Sequence, residues 1–173
     1  MISIIAGKYK GRKLYDVKDL HLRPTQAKVR KSVFQILEPF YGMEVLDLYA
    51  GVGTLGIEAM SRGASRIVFV EKNRRVFKVL KKNIELFEPD QCDLFLTDAL
   101  QFLTRAKNQY FDIIIADPPY TEVSFQSMKE KVENTLNPGG IFCMEMKKEP
   151  IDEPNVRVKY FGSTQVVFWR AAA

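Results

Sequence analysis

The chain has 173 residues, of which 46% are hydrophobic and 27% are charged, and it is long enough to bury the core of one domain. No apolar run approaches the roughly 20 residues of a membrane span, and two distant cysteines exclude a disulfide scaffold and a zinc site, so we expect a cytoplasmic protein with no membrane and no metal partner. The formal net charge of +5 fits a polyanionic partner but does not require one.

The first predicted element is a basic β-hairpin. Residues 1–42 carry nine Lys or Arg and three Asp or Glu, whereas residues 43–173 have a balance of −1. Strand-like runs at residues 2–6 and 13–17 flank a turn with two glycines, which is the pattern of a hairpin with Tyr9 available to stack. We call this hairpin the basic arm. It is either a solvated basic surface or a phosphate-contacting element beside a near-neutral core.

A helix is predicted after this hairpin. Arg23-Pro24-Thr25 breaks the strand pattern, and Thr25 is the expected N-cap. Apolar residues then recur at helical spacing, and the helix should end near Pro39. We expect residues 1–42 to pack on a core formed by residues 43–170, as parts of a single-domain molecule.

From residue 44 onward, strands and helices alternate. Strands are predicted at residues 44–49, 66–70, 93–96, 111–116 and 141–146. Helices are predicted at residues 54–62, 73–87, 99–106 and 125–136, the last closed by Pro138-Gly139-Gly140. Residues 156–160 and 165–169 follow without a helix-length gap and predict an antiparallel hairpin. The alternation implies an α/β fold, a parallel sheet with helices on both faces.

A glycine turn follows the first strand of the core. Residues 51–56 match G-x-G-x-x-G, which is weak alone but here follows a predicted strand and opens a predicted helix. Gly51 and Gly53 would let the backbone approach a nucleotide closely, and Asp47 lies at the end of the same strand. We therefore expect these three residues to contribute to a nucleotide site.

Carboxylates end the strands that come next. Glu71 lies 20 positions after Gly51, where a carboxylate on ribose hydroxyls is expected, and Asp98-Ala99 could meet an adenine edge. Because ligands of α/β sheets bind outside the carboxyl ends of the strands, these residues should converge with Asp117 at the end of the fourth strand. The alternative is a set of unrelated helix caps, with Asp98 capping the helix after it.

Asp117-Pro118-Pro119-Tyr120 is the most informative segment. The prolines fix φ and lack N–H groups, so their carbonyls can face a ligand. A planar amine could donate to the Asp117 carboxylate and the Pro118 carbonyl while its ring stacks on Tyr120. We interpret the segment as a pocket for a nucleobase whose exocyclic amine reacts.

Two nucleotide-dependent reactions compete at such a site. A nicotinamide-dependent oxidoreductase uses the same glycine turn and ribose carboxylate, but it needs a proton-transfer residue beside the hydride site and no Asp-Pro-Pro-Tyr segment. An S-adenosylmethionine-dependent methyltransferase uses the same adenosine contacts, and Asp-Pro-Pro-Tyr after the fourth strand fits amine methylation. The second interpretation is favoured.

A family resemblance extends from Ile4 to about Trp169. It is carried by residues 45–53 and 56–64, residues 4–7 with 11–14, Arg23-Pro24-Thr25 with Arg30, and residues 117–120. In these segments the chain resembles the bacterial 16S ribosomal RNA guanine-N2 methyltransferases of the guanine(966) type. Val52 and Tyr49 stand where this family usually has serine and phenylalanine.

The resemblance implies a Rossmann-like class I methyltransferase fold with a seven-stranded, mostly parallel sheet whose last strand is antiparallel. It also implies S-adenosyl-L-methionine as methyl donor and guanine N2 of 16S ribosomal RNA as target, in the small ribosomal subunit or its assembly intermediate, and we expect a monomer. The expected cofactor-binding residues are Asp47, Gly51, Gly53, Glu71, Asp98 and Ala99. The expected catalytic residues are Asp117, Pro118, Pro119 and Tyr120. The expected RNA contacts are Lys8, Lys10, Arg12, Lys13, Arg23 and Arg30.

Alternatives remain open at the level of sequence. Asp-Pro-Pro-Tyr also fits adenine-N6 methylation of DNA and, less well, methylation of a protein glutamine. A catalytically silent RNA-binding protein on the same fold is a further alternative, and a nicotinamide-dependent oxidoreductase is more remote.

Overall fold

The computed structural model describes residues 1–18 and 25–173 as nine strands and five α-helices. The strands are β1 (Ile2–Ser3), β2 (Lys13–Leu14), β3 (Glu44–Leu48), β4 (Arg66–Glu71), β5 (Cys92–Leu96), β6 (Phe111–Ala116), β7 (Leu136–Lys147), β8 (Val156–Phe161) and β9 (Thr164–Arg170). The helices are α1 (Ala27–Leu37), α2 (Thr54–Ser61), α3 (Arg74–Glu85), α4 (Ala99–Arg105) and α5 (Phe125–Val132). In this part of the chain no helix is long and apolar enough to cross a membrane.

Seven of the strands form one sheet in the order β5-β4-β3-β6-β7-β9-β8. The neighbours from β5 to β7 are parallel, whereas β9 is antiparallel to both β7 and β8. The predicted parallel sheet, the antiparallel C-terminal hairpin and the Rossmann-like fold class are therefore confirmed. Along the chain, the strands run outward from β3 to β5, and the next strand, β6, is added on the other side of β3. The switch point of the sheet therefore lies between the carboxyl ends of β3 and β6.

Apolar runs place the central strands inside the molecule. In β3 and β6 most side chains on both faces are buried, as expected for parallel strands covered by helices on either side. One apolar cluster includes Phe34 of α1 and Leu80 of α3, and the other includes Phe102 of α4 and Met128 of α5. Burying a side chain of this size contributes about 1.5–3 kcal/mol, so the two clusters fix the sheet between the helical layers.

The N-terminal hairpin is docked on α2. β1 and β2 are antiparallel, and the backbone N–H groups of Ile5 and Ala6 donate to the buried carboxylate of Glu58 at 2.8 and 3.0 Å. A Cβ at Gly7 would lie 1.9 Å from the carbonyl oxygen of Ser61, so only glycine permits this approach. The expectation that Tyr9 is free to stack is wrong, because this side chain is 7% exposed and packs edge-on against Phe87.

Two predicted helix ends differ from the structure. α1 begins after Gln26 and has no side-chain cap, so Thr25 is not an N-cap. The helix predicted over residues 125–136 ends at Val132 and continues as a 3₁₀ turn. Pro138-Gly139-Gly140 does not close this helix but lies within β7, where the pairing with β6 shifts register. Proline lacks the N–H that a regular ladder needs, and a bulge accommodates it.

Candidate active site

A cavity of about 920 Å³ opens at the carboxyl ends of the parallel strands. One half is lined by residues 49–52 of the glycine turn and by residues 70–73 at the end of β4. The other half is lined by residues 117–120, by Glu145 of β7 and by residues 159–164 of the C-terminal hairpin. The predicted nucleotide-binding and amine-binding segments thus share one cavity.

The glycine turn contributes to this cavity through Gly51 and not through Gly53. Both residues have positive φ, +59° and +93°. A Cβ at Gly51 would meet no described atom within 4 Å, whereas a Cβ at Gly53 would lie 2.6 Å from Cδ1 of Leu80. Gly51 therefore presents its backbone to the cavity. Gly53 lets α2 and α3 pack closely and is not among the described residues that line the cavity, so the structure does not support its expected cofactor contact.

Glu71 lies between the glycine turn and the start of α3. Its Oε2 accepts from the N–H of Gly51 at 2.9 Å and its Oε1 from the N–H of Asn73 at 2.7 Å. The carboxylate is half-buried and lines the cavity. Each carboxylate oxygen has two lone-pair sites, so Glu71 can hold the turn and still accept from ligand hydroxyls.

Asp47 is buried behind the glycine turn and is not among the described residues that line the cavity. Its Oδ2 accepts from the N–H of Gly56 at 2.9 Å, and its Oδ1 has no described hydrogen-bond partner. The pKa of this carboxyl is raised to about 8, mainly by burial; the Gly56 hydrogen bond opposes this rise, and the nearby Asp117 and Glu71 add to it. The structure therefore gives Asp47 a structural position at the start of α2 and does not support direct contact with a cofactor.

Asp98 caps α4. Its Oδ1 accepts from the N–H groups of Leu100 and Gln101 at 2.9 and 3.1 Å, so the helix-cap alternative describes this side chain. Ala99 and Thr97 line the cavity on either side of it. The segment after β5 thus lines the cavity through Thr97 and Ala99. The structure does not support a direct contact between the Asp98 side chain and a cofactor.

All four residues of Asp117-Pro118-Pro119-Tyr120 line the cavity. Oδ2 of Asp117 accepts a hydrogen bond from the hydroxyl of Thr25 at 3.0 Å. The hydroxyl of Tyr120 points toward Oε1 of Glu145 at 3.5 Å, which leaves the ring as part of the cavity wall. Thr25 and Glu145 were missed at the sequence level, because their partners lie 92 and 25 residues away in the chain.

The basic arm is only partly available to a ligand. Lys8 pairs with Glu88, and Arg12 donates to the carbonyl of Leu86 at 2.8 Å while its guanidinium lies over the ring of Phe87. Lys10 and Lys13 are exposed and form no ion pair within the described residues. These two lysines are therefore the arm's most accessible cations.

Arg30 and Arg23 differ from the other predicted RNA contacts. Arg30 is 4% exposed, donates to the carbonyl of Ser3 at 3.2 Å, and has its pKa lowered by burial. This burial does not support the predicted phosphate contact, and the spacing of Arg30 from Val33 and Phe34 on the apolar face of α1 is the signal that indicates burial. Arg23 lies outside the described residues.

A buried amide joins the N-terminal segment to the glycine turn. Asn83 is fully buried in α3; its Oδ1 accepts from the N–H of Tyr15 at 2.8 Å, and its Nδ2 donates to the carbonyls of Tyr15 and Val52 at 3.0 and 2.9 Å. This residue is not among the predicted site residues, although a polar side chain between Leu80 and Ile84 on the apolar stripe of α3 is a detectable signal.

Comparisons with known proteins agree over nearly the whole chain. The family model Conserved hypothetical protein 95 matches residues 2–170. Ribosomal RNA small subunit methyltransferase D of Haemophilus influenzae is 35% identical over 154 residues, which covers 86% of this chain and 80% of that protein. The protein of the same name from Escherichia coli K12 is 34% identical over 140 residues, or 80% of this chain and 68% of that protein. The solved structure of Escherichia coli yhhF gives a TM-score of 0.88 at 29% identity, covering 99% of this chain and 98% of that one.

Proposed function

Since the chain belongs to the Conserved hypothetical protein 95 family, we propose that it transfers a methyl group from S-adenosyl-L-methionine to the exocyclic N2 amine of a guanine in 16S ribosomal RNA. The broader activity, that of an S-adenosylmethionine-dependent ribosomal RNA methyltransferase, follows from its similarity to ribosomal RNA small subunit methyltransferase D. The proposed substrate is the RNA of the small ribosomal subunit or of its assembly intermediate.

One observation carries the proposal. The segment Asp117-Pro118-Pro119-Tyr120 and the nucleotide-binding elements around Gly51 and Glu71 line the same cavity. A methyl donor and an amine acceptor must meet within one cavity for direct transfer. Holding the two reacting groups in the right geometry removes a large part of the activation barrier in such reactions. The shared cavity supplies that proximity.

The residues present fit the cofactor. S-adenosyl-L-methionine supplies a methyl group on a sulfonium, which is already a strong electrophile. The backbone at Gly51 faces the cavity without a side chain, Glu71 would offer carboxylate acceptors to ribose hydroxyls, and the cavity-lining residues Thr97 and Ala99 would contact the adenine. This chain therefore needs to orient the two substrates more than to activate the donor.

The amine half of the cavity fits the edge of guanine. The N2 lone pair of guanine is delocalised into the ring, so N2 is a poor nucleophile. The carboxylate of Asp117 and the carbonyl of Pro118 would accept hydrogen bonds from the two N2–H groups and turn the lone pair toward the methyl group. The N2–C bond would form as the C–S bond breaks, and N2 would release one proton to solvent. Tyr120 would stack on the base, replacing the stacking lost when the base leaves the RNA. The hydroxyl of Thr25 fixes one oxygen of Asp117 for this task.

The decisive experiment combines a product analysis with a site variant. Small subunits or their RNA are incubated with the protein and S-adenosyl-L-methionine, and the nucleosides are analysed by mass spectrometry. We expect N2-methylguanosine from wild type. Asp117→Ala should lower kcat by about 100-fold or more, because a preorganised acceptor is lost, with little change in cofactor affinity. Asp90→Ala, which removes an exposed carboxylate at the opposite edge of the sheet, is the matched control.

Each alternative has its own outcome in this assay. N6-methyladenosine as the product would favour the adenine interpretation, and cofactor binding without methylated product would favour a catalytically silent RNA-binding protein. A near-wild-type rate for Asp117→Ala would refute the assignment of the amine site.

A further inference from the structure

The C-terminal hairpin brings Lys159 and the exposed ring of Tyr160 to the mouth of the cavity, and Lys148, which follows β7, lies beside that ring. β8 is antiparallel to β9, and β9 is antiparallel to β7, so β8 runs in the same direction as the parallel strands. Its carboxyl end therefore lies on the same side of the molecule as their carboxyl ends. Residues 159–164, which comprise the end of β8, the turn and the start of β9, line the same cavity as residues 117–120. We call Lys148, Lys159 and Tyr160 the C-terminal lip.

Tyr160 is placed to offer its ring to a ligand. The residue is 63% exposed, unlike Val156 and Val158 on the same face of β8, which pack against the core. The ammonium of Lys148 lies 5.4 Å from the centroid of the ring. A lysine held beside an exposed tyrosine places positive charge next to an aromatic face, the combination that suits a nucleotide.

The two lysines of the lip are also accessible to a ligand. Lys148 and Lys159 are exposed and form no ion pair in the part of the chain that the structure describes. In the N-terminal arm, by contrast, Lys8 is paired with Glu88 and Arg12 is bonded to a backbone carbonyl. The lip therefore presents accessible positive charge at the cavity, where Lys159 is one of the lining residues.

We propose that the C-terminal lip is a second RNA contact, in which Tyr160 stacks on an unpaired base next to the target nucleotide and Lys148 and Lys159 contact the flanking phosphates. The proposal rests on the proposed function, because it requires an RNA base to enter the cavity. A base that leaves its stack exposes the face of its neighbour, and the ring of Tyr160 at the mouth can cover that face.

The stacking is tested with an RNA stem-loop whose loop holds one guanine beside 2-aminopurine, a fluorescent base that is quenched when stacked. Wild type and Tyr160→Phe should quench this probe, whereas Tyr160→Ala should not and should bind it about 5- to 30-fold more weakly. The matched control is Tyr110→Ala, which removes a 52% exposed tyrosine at the opposite edge of the sheet and should bind like wild type.

The phosphate contacts are tested by a salt series on the same stem-loop. Lys148→Ala with Lys159→Ala should flatten the slope of log K against log salt by about 1.4, since each single-strand phosphate contact contributes about 0.7. The control pair, Arg105→Ala with Lys107→Ala, removes two exposed cations at the far end of α4 and should leave the slope unchanged.

Binding of S-adenosylhomocysteine by every variant separates the possible failures. Unchanged quenching, affinity and salt slope in the lip variants, with wild type active on RNA, would overturn the lip alone. Wild type that binds S-adenosylhomocysteine but no RNA would overturn both the lip and the RNA substrate. A defect on assembled subunits without one on the stem-loop would assign the lip to a ribosomal protein and overturn the RNA contact.

Discussion

Replacing Asp47 by asparagine should change how the stability of the protein depends on pH. Burial raises the pKa of Asp47 from its ordinary 3.8 to about 8, so the folded protein holds a proton that the unfolded chain has released. The stabilisation from this group is complete below the unfolded pKa and is lost as the pH rises through the folded pKa. Asparagine has a similar shape, can still accept from the N–H of Gly56 and does not titrate.

The expected magnitude follows from the width of this pH window. Between about pH 4 and pH 8 the folded state binds one more proton at Asp47 than the unfolded state, which corresponds to about 1.4 kcal/mol for each pH unit. The unfolding free energy of wild type minus that of Asp47→Asn should therefore fall by about 2.7 kcal/mol between pH 5 and pH 7. Taking the difference cancels the groups that titrate equally in both proteins.

Urea unfolding at pH 5, 6, 7 and 8 measures this difference directly. The control is Asp90→Asn, an exposed carboxylate whose replacement should give a difference that hardly changes over the same range. Parallel stability profiles for wild type and Asp47→Asn would mean that Asp47 is ionised in the folded protein, and the argument from burial would be refuted. If the variant does not fold, the infrared band of a protonated carboxyl in wild type at pH 6 answers the same question.

Three further predictions concern ligand binding and turnover. Glu71→Ala should weaken binding of S-adenosylhomocysteine by about 1–3 kcal/mol in a calorimetric titration, since a charged acceptor of ribose hydroxyls is lost, and an unchanged affinity would contradict that role. Thr25→Val should lower kcat by about 5-fold with little effect on cofactor affinity, because a hydrogen bond to Asp117 worth about 1 kcal/mol is removed, while Thr25→Ser should retain most of the rate. Lys10→Ala with Lys13→Ala should flatten the salt dependence of RNA binding by about 1.4, and an unchanged slope in a filter-binding series would make the arm a solvated surface.

Regular elements were predictable because their signals are local. The apolar run at residues 111–116 matches β6 residue for residue, and alternation of strands and helices correctly indicated the parallel sheet. The ends of elements were less predictable where tertiary contacts decide them. Pro138 predicts a helix stop, but in the structure a bulge in β7 accommodates it.

The candidate site was predictable at the level of strand ends but not of individual side chains. Asp117 and Glu71 reach the cavity because parallel topology brings them there. Asp47 and Asp98 follow the same rule in sequence, yet one supports the start of α2 and the other caps α4. A carboxylate has the same local pattern in either role, and only the packed structure shows which donors it meets. The contact of Thr25 with Asp117 likewise depends on long-range packing.

Asn83 makes the N-terminal hairpin and the glycine turn open as one unit. Peeling the segment at Tyr15 away from α3 would leave Oδ1 and one N–H of the buried Asn83 amide unpaired, at a cost of about 1–3 kcal/mol for each group. The other N–H of the same amide holds the carbonyl of Val52. A ligand that steadies the turn at Val52 should therefore slow amide hydrogen exchange at Tyr15, which is not among the described residues that line the cavity. By the same linkage, trimming the hairpin to isolate the core should weaken cofactor binding, because the support that Asn83 gives to the turn at Val52 is disturbed.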